Sequence, residues 1–299
     1  VIRLKFGKDR YLLAVFNDTT ERRILTAKLE DYMEHLKQKV DERTEEVQKA
    51  GRLLLQELEV AQLIQKSLLR NNVREIPRYK YFYKFYPSRS IGGDFFNINK
   101  ITDNHYYFYI SDVSGHGVPA AMLTVFFQQS LRNIVSGSQT LSPGAILTQA
   151  NKNFYRENFP GSPFITVFFC VLDLPLNVLT YAVAGHHNGI VYNSASGTVD
   201  TFGYFSKPVG PFENTVYRDE SLKLEKDDNI LLYTDGITEI FDKDNRRVFD
   251  SSHLLRFISE RARNSDANII KSLISHLKDL RKLPHFDDDV AVLNIRRME

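Results

Sequence analysis

Residues 106–117 read Tyr106-Tyr107-Phe108-Tyr109-Ile110-Ser111-Asp112-Val113-Ser114-Gly115-His116-Gly117. An apolar run with strand-forming residues passes directly into an aspartate and then into a glycine-rich bend. The same juxtaposition recurs in Ile230-Leu231-Leu232-Tyr233-Thr234-Asp235-Gly236. Asp94 follows Gly92-Gly93 and precedes Phe95-Phe96, and Asp287-Asp288-Asp289 run straight into Val290-Ala291-Val292-Leu293. A carboxylate beside buried strands is costly to desolvate without a partner, and several carboxylates brought together repel one another. A multivalent cation answers both problems. All-oxygen ligands select hard ions such as magnesium or manganese over zinc, and the sequence offers no Cys/His cluster to argue otherwise.

Working outward from these four stretches, strands are expected at 79–86, 95–98, 106–110, 164–172, 178–184, 190–192, 215–224, 230–233 and 290–295. Helices are expected at 119–135, 143–158, 251–263 and 266–281. Strands outnumber helices and short turns join most of them. The expected fold class is therefore α+β, a layered antiparallel β-sandwich flanked by helices and not a doubly wound parallel sheet.

The chain ahead of this domain has a different period. Residues 1–20 read as a hairpin: Ile2, Leu4 and Phe6 alternate with polar residues, Gly7 to Arg10 supply a turn, and a second apolar run follows. Two strands alone are not stable, which points to a fragment of a longer protein. Residues 21–69 contain no proline, and Met33, Val40, Val47, Leu54, Ala61 and Leu68 repeat every seven residues. The position four residues earlier holds Leu29, Leu36, Arg43, Ala50, Glu57 and Ile64. One sticky seam on a helix of this length calls for a partner, and the expectation is a parallel dimeric coiled coil with a weak middle. Asn71-Asn72 and Pro77 end the heptads. The expected divisions are thus 1–20, 21–70 and 71–299.

Composition excludes several classes. With 39 basic and 37 acidic residues among 299, the formal charge is +2, without the basic surface of an electrostatic nucleic-acid or membrane binder. No apolar stretch approaches the roughly 20 residues of a membrane-spanning helix. The single cysteine, Cys170, sits in an apolar run, so no intrachain disulfide forms; a reducing, cytoplasmic setting is expected.

Taken in order, Ile91-Gly92-Gly93-Asp94-Phe95-Phe96, Asp112-Val113-Ser114-Gly115-His116-Gly117 with Ala120-Ala121, Tyr181 to His186, Tyr233-Thr234-Asp235-Gly236 with Thr238-Glu239, and Asp288-Asp289-Val290 resemble the RsbU/SpoIIE-type metal-dependent serine/threonine phosphatases. These are bacterial relatives of protein phosphatase 2C. Residues 59–69, with Ala61, Gln65 and Leu68-Leu69, resemble the helix that leads into such domains, and 17–22 resemble the exit of a PAS sensor domain. The resemblance implies paired antiparallel sheets with two Mn2+ or Mg2+ ions in a cleft at one edge. By position, Asp94 and Asp112 would share the metals, the Val113 carbonyl would add a ligand, and Asp235 and Asp288 would complete the set. Water would then attack phosphorus directly, without a covalent intermediate. It further implies a phosphorylated STAS-domain anti-sigma factor antagonist as substrate, and a homodimer regulated through the coiled coil.

The pattern departs from the family at four places. Asn97 stands where a second acid often follows Asp94, Ala291 where threonine usually follows the aspartate pair, and Ser114 where some eukaryotic cousins use histidine; 206–210 match the Gly-rich Pro-Leu-Gly turn only loosely. His116 could contact phosphate or serve a turn, and His186-His187 resemble a zinc pair only superficially, since neighbours on a strand point apart. Which of Asp287, Asp288 and Asp289 ligates is open, with Asp288 the choice by alignment. Asp242 to Asn245 begin like a calcium loop, but Arg247 replaces the required glycine, so a hairpin turn is expected. Gly92 to Phe96 also resemble a diguanylate cyclase signature, a reading that leaves the later aspartates unexplained. The remaining alternative is a catalytically silent partner-binding module.

Overall fold

The strand His105–Val113 shows why so many runs in this sequence are apolar without alternation. Tyr106, Phe108 and Ile110 face one core, while Tyr107, Tyr109 and Val113 face another. A strand covered on both faces loses the in-out pattern of a half-exposed sheet. The structure is a computed structural model that describes residues 2–13, 17–68, 73–88, 91–138, 140–242, 246–263, 269–281, 286 and 288–299. The chain divides into two units, Val1–Glu57 and Leu58–Glu299.

The first unit holds the hairpin of β1 (Ile2–Phe6) and β2 (Asp9–Leu13), paired antiparallel, and most of α1 (Thr20–Leu68). At 49 residues α1 is roughly 73 Å long at about 1.5 Å per residue. Leu29, Met33, Leu36, Val40, Val47 and Leu54, six members of the heptad seam, are all exposed on the single chain.

The second unit is built from β3 (Tyr79–Tyr86), β4 (Phe95–Lys100), β5 (His105–Val113), α2 (Val118–Gly137), α3 (Pro143–Arg156), β6 (Ile165–Asp173), β7 (Val178–Ala184), β8 (Gly189–Asn193), β9 (Val199–Phe202), β10 (Glu220–Lys223), β11 (Asp228–Tyr233), β12 (Ile240–Phe241), β13 (Arg247–Phe249), α4 (Ser251–Arg263), α5 (Ile269–Arg281) and β14 (Val290–Arg297). Two five-stranded antiparallel sheets form, in the orders β10-β7-β6-β5-β4 and β3-β14-β11-β8-β9. Phe108, Phe168, Cys170, Ile230 and Leu293 meet between the sheets. Phe127, Leu131, Ile146 and Leu147 of α2 and α3 cover the outer face of the first sheet, and Leu254, Ile258, Leu273 and Leu277 of α4 and α5 cover the second. This is the layered α+β sandwich expected. Cys170 is fully buried between the sheets as a small hydrophobe.

Helix α3 starts as its sequence dictates: Ser142 accepts a hydrogen bond from the Ala145 N–H at 3.1 Å, with Pro143 at the first helical position. The strand expected at 215–224 is confined to Glu220–Lys223. Tyr217 is instead buried against α3, its N–H donating to Thr148 Oγ1 at 3.1 Å, so the preceding segment packs on a helix and pairs with no strand. The short strands β9, β12 and β13 carry no alternation long enough to announce them. Asp242 does lie in a hairpin, exchanging two backbone-directed hydrogen bonds with Arg246 at 2.9 Å; residues 243–245 fall outside the described residues.

Candidate active site

Antiparallel pairing brings the carboxylates together. The end of β5 lies beside the start of β4, so Asp112 and Asp94 share one edge of the first sheet. The end of β11 lies beside the start of β14, so Asp235 and Asp288 share an edge of the second. The two edges coincide, because Asp94 feels the charges of Asp112, Asp235 and Asp289, and Asp112 those of Asp235, Asp288 and Asp289.

Asp94 is 3% exposed, and its Oδ2 has no hydrogen-bond partner among the described residues. Burial first, and then the neighbouring Asp112, push its carboxyl well above the usual range, against a hydrogen bond with Thr234. Asp112 is pushed up to about 7 by burial and by Asp235, opposed by a hydrogen bond with Asp94. Burial and Asp288 raise Asp235, and burial also raises Asp288, whose Oδ1 accepts the Asp289 N–H at 2.8 Å. Among the described residues no three His, Cys, Asp or Glu side chains form a ready-made ligand cage. What they form is a cluster of crowded carboxylates, one of them with a buried oxygen lacking a donor. That donor set suits a hard cation, which relieves the repulsion and the desolvation together.

Asp289, left open by the sequence, has a different task from Asp288. It is 7% exposed; its Oδ1 accepts from the N–H and Oγ of Ser88 at 2.8 and 2.9 Å, and its Oδ2 from the Gly93 N–H at 2.7 Å. Both oxygens are committed to the backbone that carries Asp94, while Asp288 keeps an outward carboxylate. Asp287 lies outside the described residues. The two glycines follow from close approaches: a Cβ on Gly92 would come within 2.3 Å of Asp289 Oδ2, and one on Gly93 within 2.8 Å of the Val113 carbonyl oxygen. The Gly92 carbonyl accepts from Gln65 Nε2 at 2.9 Å and the Gly93 carbonyl from Thr124 Oγ1 at 3.0 Å. Ser88, Thr124 and Thr234 were not legible as site residues; Ser88 bonds the Asp289 carboxylate, Thr124 the Gly93 carbonyl and Thr234 the Asp94 carboxyl, and isolated hydroxyl residues carry no spacing signal.

The histidines separate as strand geometry requires. His186 is buried, with Nε2 donating to the Tyr233 carbonyl at 3.0 Å and Nδ1 accepting from Thr166 Oγ1 at 2.8 Å, which ties the two sheets together. Burial first, and the neighbouring His187, hold it down to about 3, so it stays neutral. His187 lies parallel to the Tyr233 ring at 6.1 Å and close enough to Asp235 to lower that carboxyl, and His116 does the same for Asp288. Asn97 is fully buried opposite Tyr109, accepting from Asn99 Nδ2 at 2.6 Å. Ala291 is bonded through its backbone to Thr234: its N–H donates to Thr234 Oγ1 at 2.9 Å and its carbonyl accepts the Thr234 N–H at 3.0 Å.

A family model described as Stage II sporulation protein E (SpoIIE) matches residues 102–298. Phosphoserine phosphatase RsbU of Bacillus subtilis (strain 168) is 25% identical over 241 residues, covering 81% of this chain and 70% of that protein. Phosphoserine phosphatase RsbP of the same organism is 25% identical over 237 residues, covering 78% of this chain but only 56% of its own length. Among solved structures, the SiaA-PP2C domain of Pseudomonas aeruginosa superposes with a TM-score of 0.70 at 19% identity, over 83% of this chain and 98% of that one. The last likeness speaks to fold, and it is the two-sheet fold that places Asp94, Asp112, Asp235 and Asp288 along one edge. Matched over well more than half its length, the chain belongs to the stage II sporulation protein E (SpoIIE) family, and its second unit shares the two-sheet fold of the SiaA-PP2C domain.

Proposed function

We propose that this chain hydrolyses phosphoserine or phosphothreonine in a protein substrate, with Asp94, Asp112, Asp235, Asp288 and the Val113 carbonyl holding two Mn2+ or Mg2+ ions. The observation that carries the reading is the unpartnered Oδ2 of buried Asp94 beside Asp112 and Asp235. Divalent ions bound there would supply an activated water and neutralise charge on the phosphoryl oxygens. The protein's own part is to hold its carboxylates apart and in place: Asp289 and Gln65 fix the loop that presents Asp94, and His186 fixes the strand end that leads to Asp235. The alternative of a diguanylate cyclase leaves the aspartates beyond Asp94 without a task, whereas the phosphatase reading employs them.

The proposed substrate is a phosphorylated STAS-domain anti-sigma factor antagonist; removing its phosphate changes the charge by about two, enough to switch a protein interface. Support comes from the relatives named phosphoserine phosphatases. The exposed seam of α1 supports a homodimer regulated through its coiled coil, with the preceding hairpin as the end of a PAS-like sensor. No helix among the described residues is long and apolar enough to cross a membrane, and buried, unpaired Cys170 suits the cytoplasm.

The test is hydrolysis of a phosphoserine peptide and of a phosphorylated STAS protein with manganese, with magnesium and with chelator, alongside Asp235→Ala. Turnover that needs the metal and is lost in the variant is expected. Absence of turnover in every metal, for both the whole chain and residues 73–299, would instead assign a silent binding module.

A further inference from the structure

Away from the carboxylate edge, the second sheet carries a polar row on its outer face, where the core of that layer is otherwise apolar. The pairing register sets Lys80, Arg296, Asn229 and Tyr192 side by side on β3, β14, β11 and β8, with Phe82 and Asn294 in the next row. These residues, together with Tyr83, Lys84 and the first residues of α5, Ile269 to Lys271, line a cavity of about 350 Å³. Small-molecule sites run from roughly 300 to 1,000 Å³.

The charges in it are one-sided. Lys80, Lys84, Lys271 and Arg296 line the cavity, and no carboxylate does so among the described residues. Lys80 stands directly opposite Arg296 across the strand pair, a like-charge placement that destabilises a sheet. Asp227 neutralises only part of this, meeting Arg296 Nη2 at 2.8 Å, while the buried Nε of Arg296 has no partner among the described residues. Asn229 and Asn294 are fixed in place by donating to Tyr192, Ser194, Asp227 and Ile230, so the floor is rigid. Half-exposed Phe82 offers aromatic surface at the rim.

From this combination we infer that the cavity is a binding site for an organic phosphate of up to about mononucleotide size. The phosphate sits among the four cations, and a planar group rests on Phe82. An Arg fork and lysines facing a dianion recover the cost of their mutual repulsion. The site is distinct from the catalytic edge: Val290, next to the carboxylates, and Arg296 lie near opposite ends of β14, roughly 20 Å apart at about 3.3 Å per residue. The inference does not depend on the phosphatase reading, because none of its residues belongs to the carboxylate cluster.

The experiment is calorimetric titration of the whole chain with adenosine monophosphate, adenosine and inorganic phosphate, in chelator so that the bare carboxylates of the catalytic edge repel anions. Adenosine monophosphate is expected to bind, adenosine not to bind, and the exposed-site double variant Lys84→Glu/Lys271→Glu to weaken binding at least tenfold with an unchanged melting temperature. Asp94→Asn is expected to leave the affinity unchanged. Inorganic phosphate binding as tightly as adenosine monophosphate would overturn the role of Phe82. No binding of either phosphate, or binding unaffected by the double variant, would overturn the site itself.

Discussion

The carboxylate of Asp289 accepts the backbone N–H of Gly93 at 2.7 Å across 196 residues of sequence, and so joins the start of β14 to the loop that delivers Asp94. With the two bonds from Ser88, this makes Asp289 a clamp whose charge is spent on N–H and O–H donors. Asp289→Asn places an amide donor against at least one of them. Charge-assisted hydrogen bonds contribute about 1.5–3 kcal/mol each, and a buried donor left facing a donor loses that and more. The expected result is a loss of about 2 kcal/mol in denaturant unfolding, with metal-dependent turnover reduced because Asp94 is no longer held. Asp289→Asn with wild-type stability would show that the clamp contributes nothing.

Asp94 predicts the opposite sign for stability. Its burial and its repulsion by Asp112 cost free energy in the metal-free chain, visible as carboxyls pushed upward at both positions. Asp94→Asn removes a charge that has no donor at Oδ2 and adds an amide that donates to Asp112. In chelator the variant is expected to melt higher than the parent, by about 1 kcal/mol or more in stability, while metal-dependent hydrolysis is lost. A variant that melts lower in chelator would mean that Asp94 is satisfied by a partner other than a cation.

Much of this site was legible because chemistry and local pattern coincide there. Asp94, Asp112, Asp235 and Asp288 each stand where a run of strand residues begins or ends, which places a charge at a sheet edge whatever the topology. Antiparallel pairing then decides that the four edges are one. Asp289 was not separable from Asp288 in sequence, because only the fold shows that its two oxygens meet Ser88 and Gly93. The same limit hid the true extent of β10: Thr215 to Asp219 carry strand residues, but Tyr217 is drawn under α3, where Gly144 lets the backbone approach. Tertiary burial overrode local propensity there.

His186 gives a pH dependence with a definite sign. Its ordinary value is 6.5, and in the folded chain it is held down to about 3. Between these values the unfolded chain binds the proton that the folded chain refuses. The stability it contributes is therefore full above about 6.5 and is lost as the pH falls toward 3, by up to about 1.4 kcal/mol per pH unit. His186→Gln keeps a donor for the Tyr233 carbonyl and an acceptor for Thr166 but does not titrate. Denaturant midpoints measured from pH 7 to pH 4.5 are expected to fall more steeply for the parent than for the variant. Parallel curves would mean that His186 is protonated in the fold, with a donor at Nδ1 in place of an acceptor.

The seam of α1 makes the last prediction. Val47 is 70% and Leu54 57% exposed on the single chain, and both lie on the heptad row that starts at Met33. Burying one such side chain contributes about 1.5–3 kcal/mol, and a dimer buries each twice. The neighbouring row is interrupted by Arg43 and Glu57, so the middle of the seam has little to spare. A single Val47→Asp or Leu54→Asp is therefore expected to shift the chain to monomer at micromolar concentration in sedimentation velocity, and to change metal-dependent turnover by severalfold if the linker sets the activity of the second unit. Changing Lys49, which lies two residues after Val47 and so on the side of the helix opposite the seam, to aspartate is expected to leave the dimer intact. Equal association by all three variants would place the dimer contact elsewhere in the chain, or show α1 to be a solitary helix.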